Sequence, residues 1–266
     1  RSLQASGDVI RTFNGQTVRG EQAFFDQANE RLTVTGSVRL AEPGLQAEGQ
    51  RLEHDAKANI TRLFAAEGQR VHVKSARLGR EASEAFGRTA LITRDVQADT
   101  KVLQLDGAAE FTSEQGKVTA QRLIATDSRL NGDVLVGEGD VQGSADGNVF
   151  KAGKARWDRT RQELQLEGRP RLLEPRGFEI AGATIRSELR LQKVVVTSSP
   201  EDRATVKLPS EDVDGPTGLA QADRLFLTNE AGAAEVDLVG NVLYAAGEVR
   251  TESQRMVAYA TSKVVK

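Results

Sequence analysis

Apolar residues recur at alternate positions around a series of glycines. Leu32 and Val34 stand four and two residues before Gly36, and Val38 and Leu40 stand two and four after it. Leu103 and Leu105 precede Gly107 in the same way, with Ala109 and Phe111 beyond it. Leu164 and Leu166 precede Gly168, with Pro170 and Leu172 beyond, and Val236 and Leu238 precede Gly240, with Val242 and Tyr244 beyond. Around Gly68 the same count selects Phe64 and Ala66, and before Gly139 it selects Leu135 and Gly137. Between these positions fall Thr33, Thr35, Arg39, Gln104, Gln165, Glu167 and Arg171. Apolar and polar residues alternating with a period of two predict strands with one buried face. Each marker glycine therefore interrupts the inward row of a strand, where a missing side chain lets the sheet bend.

The markers Gly7, Gly36, Gly68, Gly107, Gly139 and Gly168 follow one another at intervals of roughly thirty residues, the signature of a repeated supersecondary unit. The interval to Gly240 is about twice as long, and Ser198, after the apolar run Leu189–Val196, takes the intermediate place. An aspartate keeps step: Asp26, Asp55, Asp95, Asp127 and Asp158 each lie shortly before a marker. A second strand leads into the aspartate, as in Val18–Phe25, Leu45–His54, Val118–Ala125, Val149–Trp157 and Leu219–Leu227. The short polar stretches after the aspartates suit hairpin loops, with the carboxylates of Asp26, Asp55, Asp127 and Asp158 bonding their own backbone. Turns such as Glu42-Pro43-Gly44 and Ala145–Asn148 join one hairpin to the next. Glu81–Phe86 is too short to read as more than a loop. Residues 197–218, rich in Ser, Pro, Asp and Glu, read as an exposed loop between units.

The prediction is an all-β chain: a long antiparallel meander of about sixteen strands, forming a single continuous unit over 1–266. A meander of that length cannot lie flat, because each apolar stripe must be covered. Propeller blades need longer four-stranded repeats, so the sheet is expected to roll into a twisted, incompletely closed β-jelly roll.

Composition narrows the function classes. The 266 residues carry a formal net charge of -2 with 28% charged and 38% hydrophobic residues, which suits a globular domain with no nucleic-acid footprint. No apolar run is long enough to cross a membrane as a helix. The first residue is Arg1 rather than methionine, which suggests a trimmed chain and a removed signal or anchor. The absence of cysteine excludes disulfides, thiol catalysis and thiolate metal sites. His54 and His72 lie in separate strands, no catalytic or phosphate-binding motif is present, and no catalytic residue, metal ligand or cofactor is assigned. His54 takes the place of Phe25 and Trp157 in the repeat and reads as a strand-end side chain. The chain reads as a binding protein rather than an enzyme.

The repeat itself carries a family resemblance. Gly7-Asp8-Val9, Ala23-Phe24-Phe25-Asp26, Gly36-Ser37-Val38, Gly139-Asp140-Val141, Ala155-Arg156-Trp157-Asp158 and Gly240-Asn241-Val242 resemble the motifs of the OstA-like family of periplasmic lipopolysaccharide-transport proteins, of the LptA or LptC type or the periplasmic jelly roll of LptD. The chain departs from the pattern at Gly68-Gln69-Arg70, Gly107-Ala108-Ala109 and Gly168-Arg169-Pro170. The resemblance implies a role in outer-membrane biogenesis in the periplasm of a Gram-negative-type bacterium, with a tether to the inner membrane outside this chain. It also implies lipopolysaccharide or a similar amphiphile as ligand. The inward residues Leu32, Val34, Val38, Leu40, Phe64, Leu103, Leu105, Phe111, Leu164, Leu166, Leu172, Val236, Leu238 and Val242 would form an apolar groove for its acyl chains. The implied partners are other jelly-roll transport proteins, or further copies of this chain, paired through an edge strand near Asp8–Phe13 or Met256–Val265. The same side chains can instead form the filled core of a structural or adhesive β-repeat scaffold.

Overall fold

The computed structural model describes the chain apart from residues 14, 76–81, 96, 129–131, 146, 189–191, 209–216, 231–232 and 262–266. The described residues form 22 strands and no helix. The chain divides into two compact units, Arg1–Gly137 and Glu138–Lys266. The first unit contains β1 (Ser2–Phe13), β2 (Gln16–Asp26), β3 (Arg31–Glu42), β4 (Leu45–Asp55), β5 (Ile60–Phe64), β6 (Val71–Ser75), β7 (Ser83–Gly87), β8 (Thr89–Asp95), β9 (Thr100–Ser113) and β10 (Gly116–Ser128). The boundary falls inside β11 (Gly132–Ala145). The second unit continues with β12 (Asn148–Asp158), β13 (Glu163–Glu167), β14 (Arg171–Leu173), β15 (Glu179–Ala181), β16 (Thr184–Glu188), β17 (Lys193–Thr197), β18 (Ala204–Leu208), β19 (Gly218–Ala222), β20 (Arg224–Glu230), β21 (Ala233–Ala246) and β22 (Val249–Thr261).

Ladder partners group the short strands into long ones. The two halves of β4 pair separately with β5 and β6, so these are one long strand interrupted at residues 65–70. Strands β7 and β8 form the next long strand, and β9 pairs with both. In the second unit, β13 with β14, β15 with β16, β17 with β18 and β19 with β20 are joined in the same way. Counted so, the 22 strands are sixteen long ones, as the repeat predicts. The ladders are antiparallel, and among the described residues none joins β1 to β22: the first strand ladders onto β2 and the last onto β21.

The strands that carry a marker bulge or break there: Gly7, Gly36, Gly107 and Gly240 lie at register jumps, and Gly68 and Gly168 lie between β5 and β6 and between β13 and β14. Gly36 and Ser37 both have positive φ, +82° and +44°, and the β3–β4 register jumps from Thr35/Arg51 to Val38/Gly49. Two residues of one strand thus oppose one of its neighbour, a β-bulge that sharpens the bend. Gly107-Ala108 and Gly240-Asn241 repeat the conformation with the same register jump. Alternation survives the bulge, which is why Val34 and Val38 both face inward.

Facing the bulges across the ladder is a second row of small residues. A Cβ on Gly182 would lie 2.5 Å from Val196 Cγ1 and 2.9 Å from the Thr197 carbonyl oxygen. Backbone hydrogen bonds, such as Ala183 N–H to Thr197 O and Ser198 N–H to Asp223 O, carry the ladder round the corner. Gly182→Ala is expected to destabilise the second unit by about 1–3 kcal/mol through overpacking, read from its urea midpoint. Gly15→Ala in the first unit, the control, meets open space but must hold a positive φ of +74°, so its cost is backbone strain alone.

Bending folds one half of every long strand over the other, and the inward rows become the core. Leu52, Leu63, Ile92 and Leu123 fill the first unit, and Leu166, Leu172, Ile180, Ile185 and Leu225 the second, all essentially inaccessible to solvent. Three expectations need correction. Phe64 does not face inward: Gly68 sits in a turn rather than a strand, the phase slips by one, and Leu63 takes the buried place while Phe64 is half buried beneath Arg51. Of Glu81–Phe86, read as a loop, Glu81 lies outside the described residues and Ser83–Phe86 belong to β7, with Ala85 buried between Val73 and Phe111. Within 197–218, read as an exposed loop, Ala204–Leu208 is β18, pairing with β15 and β19 and burying Ala204 and Val206. Residues 209–216 of that stretch, and 262–265 of the edge strand expected near Met256–Val265, lie outside the described residues.

Candidate functional site: the interior rows and their seam

The ladders bring the inward residues into continuous rows. In the first unit Val34, Leu52, Leu63, Ala90 and Leu105 are successive cross-strand partners, as are Leu40, Ala47, Val73, Ala85 and Phe111. In the second unit Leu166 continues through Ile185, Val196 and Leu225 to Leu238. Leu172 continues through Ile180 and Val206 to Ala220, while Leu164 leads through Ser187, Val194 and Leu227 to Val236. Val38 and Val242, just past their bulges, are buried as well. Thirteen of the fourteen residues selected from the sequence are thus interior, and Phe64 is not.

The interior of the first unit thins out at its first strand. Leu3, opposite Phe25 on the inward face, is 65% exposed, and Ala23 and Phe25 are half buried. Apolar surface is left uncovered where the row of side chains begins.

Along one side of the first unit the two halves of the folded sheet meet through side chains. Here Arg11 lies 3.9 Å over the Phe25 ring, and the Phe13 and His54 rings approach to 4.4 Å. Next along, the Glu42 side chain, wholly inaccessible to solvent, accepts a hydrogen bond from Gln16 Nε2 at 2.9 Å and pairs with Lys101 Nζ at 2.6 Å and with Arg94. Glu42 ends β3 beside Gln16, whereas Arg94 and Lys101 face each other across the β8–β9 hairpin. Burial lowers the pKa of Arg94 from its ordinary value. The second unit has a smaller counterpart, in which Arg176 Nη1 donates to Asn229 Oδ1 at 3.1 Å while its backbone N–H bonds the buried Glu174.

His54 is a strand-end side chain, next to last in β4, and it is also part of this seam. Its Nδ1 is 2.9 Å from Thr61 Oγ1, and Nε2 has no partner. Burial pushes its pKa below the ordinary value of 6.5; Asp55 opposes that shift and Arg11 adds to it. The unfolded chain therefore holds more protons near and below pH 6.5. The stability due to neutral His54 is complete above that pH and is lost as pH falls through the lowered folded value. Tm is expected to fall between pH 7 and pH 5 in the natural chain and to fall less in His54→Phe. An identical slope in both would exclude His54 as its source.

Asp26, Asp55, Asp95 and Asp158 make turns, and residues 129–131, which follow Asp127, lie outside the described residues. Asp26 accepts from the backbone N–H groups of Ala28 and Asn29 and from the Asn29 side chain, which together hold its carboxyl below the usual range. Asp95 and Asp158 accept two backbone bonds each, and Asp55 one from Ala58. The residue four beyond, Glu30, Asn59, Asp99 or Gln162, has positive φ and closes the loop.

No known family matches the chain, and no curated protein matches it in sequence. Among solved structures it is similar to LptH, the LptA-homologous periplasmic component of the lipopolysaccharide transport device of Pseudomonas aeruginosa, with 13% identity over 41% of this chain and 73% of that one, and a TM-score of 0.35.

A hollow of about 530 Å³ lies outside the interior, at the corner of the first strands, lined by Gly7, Gly20, Gly36, Arg19, Glu21 and Arg39 among others. None of the inward apolar residues lines it. The seam residues Gln16, Glu42, Arg94 and Lys101 were not singled out from the sequence. A glutamate at the inward phase of β3, two residues after Leu40, was the available signal.

Proposed function

We infer that the chain is a non-enzymatic periplasmic carrier of lipopolysaccharide or a related amphiphile, one module of a bridge that shields acyl chains between the inner and outer membranes. The observation that carries this reading is the unclosed roll of the first unit, whose apolar rows run from a starved, half-exposed beginning at Leu3 and Phe25 into the interior. The repeat motifs resembling the OstA-like family support it. Shielding is passive, worth roughly 0.8 kcal/mol for each methylene taken out of water, so direction comes from partners. Strands β1 and β22 each leave an edge able to add a strand from another jelly roll or a further copy of the chain.

A photo-crosslinking residue at Leu105 or Leu166 is expected to capture lipopolysaccharide in cells, with none captured from the exposed Gln165. Capture at Gln165 and none at the inward positions would refute the reading. A second reading, a scaffold with a filled core, is favoured by the second unit, where Leu166, Leu172, Ile180, Ile185, Val196 and Val206 are all fully shielded. Capture at Leu105 but not at Leu166 would assign carriage to the first unit and scaffolding to the second.

A further inference from the structure

The seam of the first unit differs in kind from every other wall of that interior. Elsewhere adjacent strands are held by backbone ladders. Along the seam the contacts described are between side chains: Arg11 on Phe25, Phe13 on His54, and Gln16 and Glu42 on Arg94 and Lys101. Three buried polar atoms there, Gln16 Oε1, His54 Nε2 and Arg94 Nε, have no hydrogen-bond partner. Replacing such a closure with packed apolar residues is commonly neutral or stabilising, because desolvation offsets much of the Coulombic gain. A buried polar network left partly unsatisfied is poor at holding a structure shut. Stability alone does not account for it.

An amphiphile supplies a reason. Its acyl chains belong inside the roll and its headgroup in water, so moving it from the Leu3–Phe25 end into the interior requires a slit through which the headgroup projects. Parting a backbone ladder would break hydrogen bonds along the whole strand, whereas parting the seam separates a few side chains that water can solvate at once. We propose that the seam is a gate: Arg11–Phe25, Phe13–His54 and the Glu42 cluster separate in turn as the headgroup of an acylated amphiphile passes, and re-form behind it. The Glu42 cluster is the latch, with its carboxylate on one lip and the Arg94 and Lys101 cations on the other. The inference rests on the carrier reading, and its experiment separates the two.

The natural chain has no cysteine, so two can be placed without interference. Arg11→Cys and Phe25→Cys sit on opposite lips, are both half exposed, and leave the latch intact. A short bismaleimide with a reducible linker would bridge them in the full chain, and reduction would release the bridge in the same molecules. The probe is a lysophospholipid carrying a nitrobenzoxadiazole label on its acyl chain, which brightens in apolar surroundings. Binding is expected to be at least tenfold weaker in the bridged protein than after reduction. Glu42→Gln, which weakens the latch, should take up the probe at least threefold faster than the natural chain. Equal binding before and after reduction would overturn the gate while leaving the carrier reading standing. Absence of uptake by the natural chain and by every variant would overturn the carrier reading, and the gate with it.

Discussion

Arg94→Met combined with Lys101→Met is expected to destabilise the first unit by about 3–5 kcal/mol, because it strands a carboxylate that has no access to solvent. Glu42→Leu alone should cost less. The cations it leaves behind retain 22% and 27% side-chain exposure and can turn towards water, whereas Glu42 cannot. Adding Glu42→Leu to the double variant removes the stranded charge and should recover most of the loss, so the triple variant is more stable than the double. Urea unfolding, followed by a probe confined to the first unit, measures all three. A double variant within 1 kcal/mol of the natural chain would mean that Glu42 reaches water or takes up a proton at little cost, and that the cluster does not hold the two halves together.

Leu166→Ala is expected to cost about 2–5 kcal/mol in the second unit, the range for emptying a fully buried leucine site. Its cross-strand neighbours are Ala155 and Ile185. Alanine on one side cannot expand into the void, and Ile185 is held in its own row, so the upper half of the range is expected. Gln165→Ala, one residue away on the exposed face, should fall within about 0.5 kcal/mol of the natural chain. The difference tests the inward phase directly. Equal effects at the two positions would mean that the strand does not present Leu166 to a packed interior.

The phase of the strands was legible because bulge and alternation agree. Gly36-Ser37 adds one residue to its strand at the point where the inward row is interrupted, so counting outward by twos from the glycine finds Leu32, Val34, Val38 and Leu40. Counting failed at Gly68, which looks the same in sequence but lies in a turn, and Phe64 was placed one residue out of phase. β7 escaped notice because its buried positions are Ala85 and Gly87, too small to stand out as an apolar row. β18 is five residues long and flanked by Ser, Pro, Asp and Glu, so its Ala204 and Val206 did not register as alternation. The second row of small residues was present in the sequence: Gly20 follows Gly7, Gly49 follows Gly36 and Gly182 follows Gly168, each roughly one strand later. The seam was not legible. Glu42 meets Arg94 and Lys101 only because the folded halves cross with an offset of several strands, and no local pattern records that offset.

The turns at Asp26, Asp55, Asp95 and Asp158 and the bulges at Gly7, Gly36, Gly107 and Gly240 are each contained within a single hairpin. Nothing in one hairpin's register depends on how many others precede it. Duplication or loss of a segment of roughly thirty residues therefore leaves every remaining corner in line with its neighbours and changes the length of the interior by two strand spacings, roughly 9.5 Å. A sheet built this way can be lengthened or shortened in steps of one hairpin.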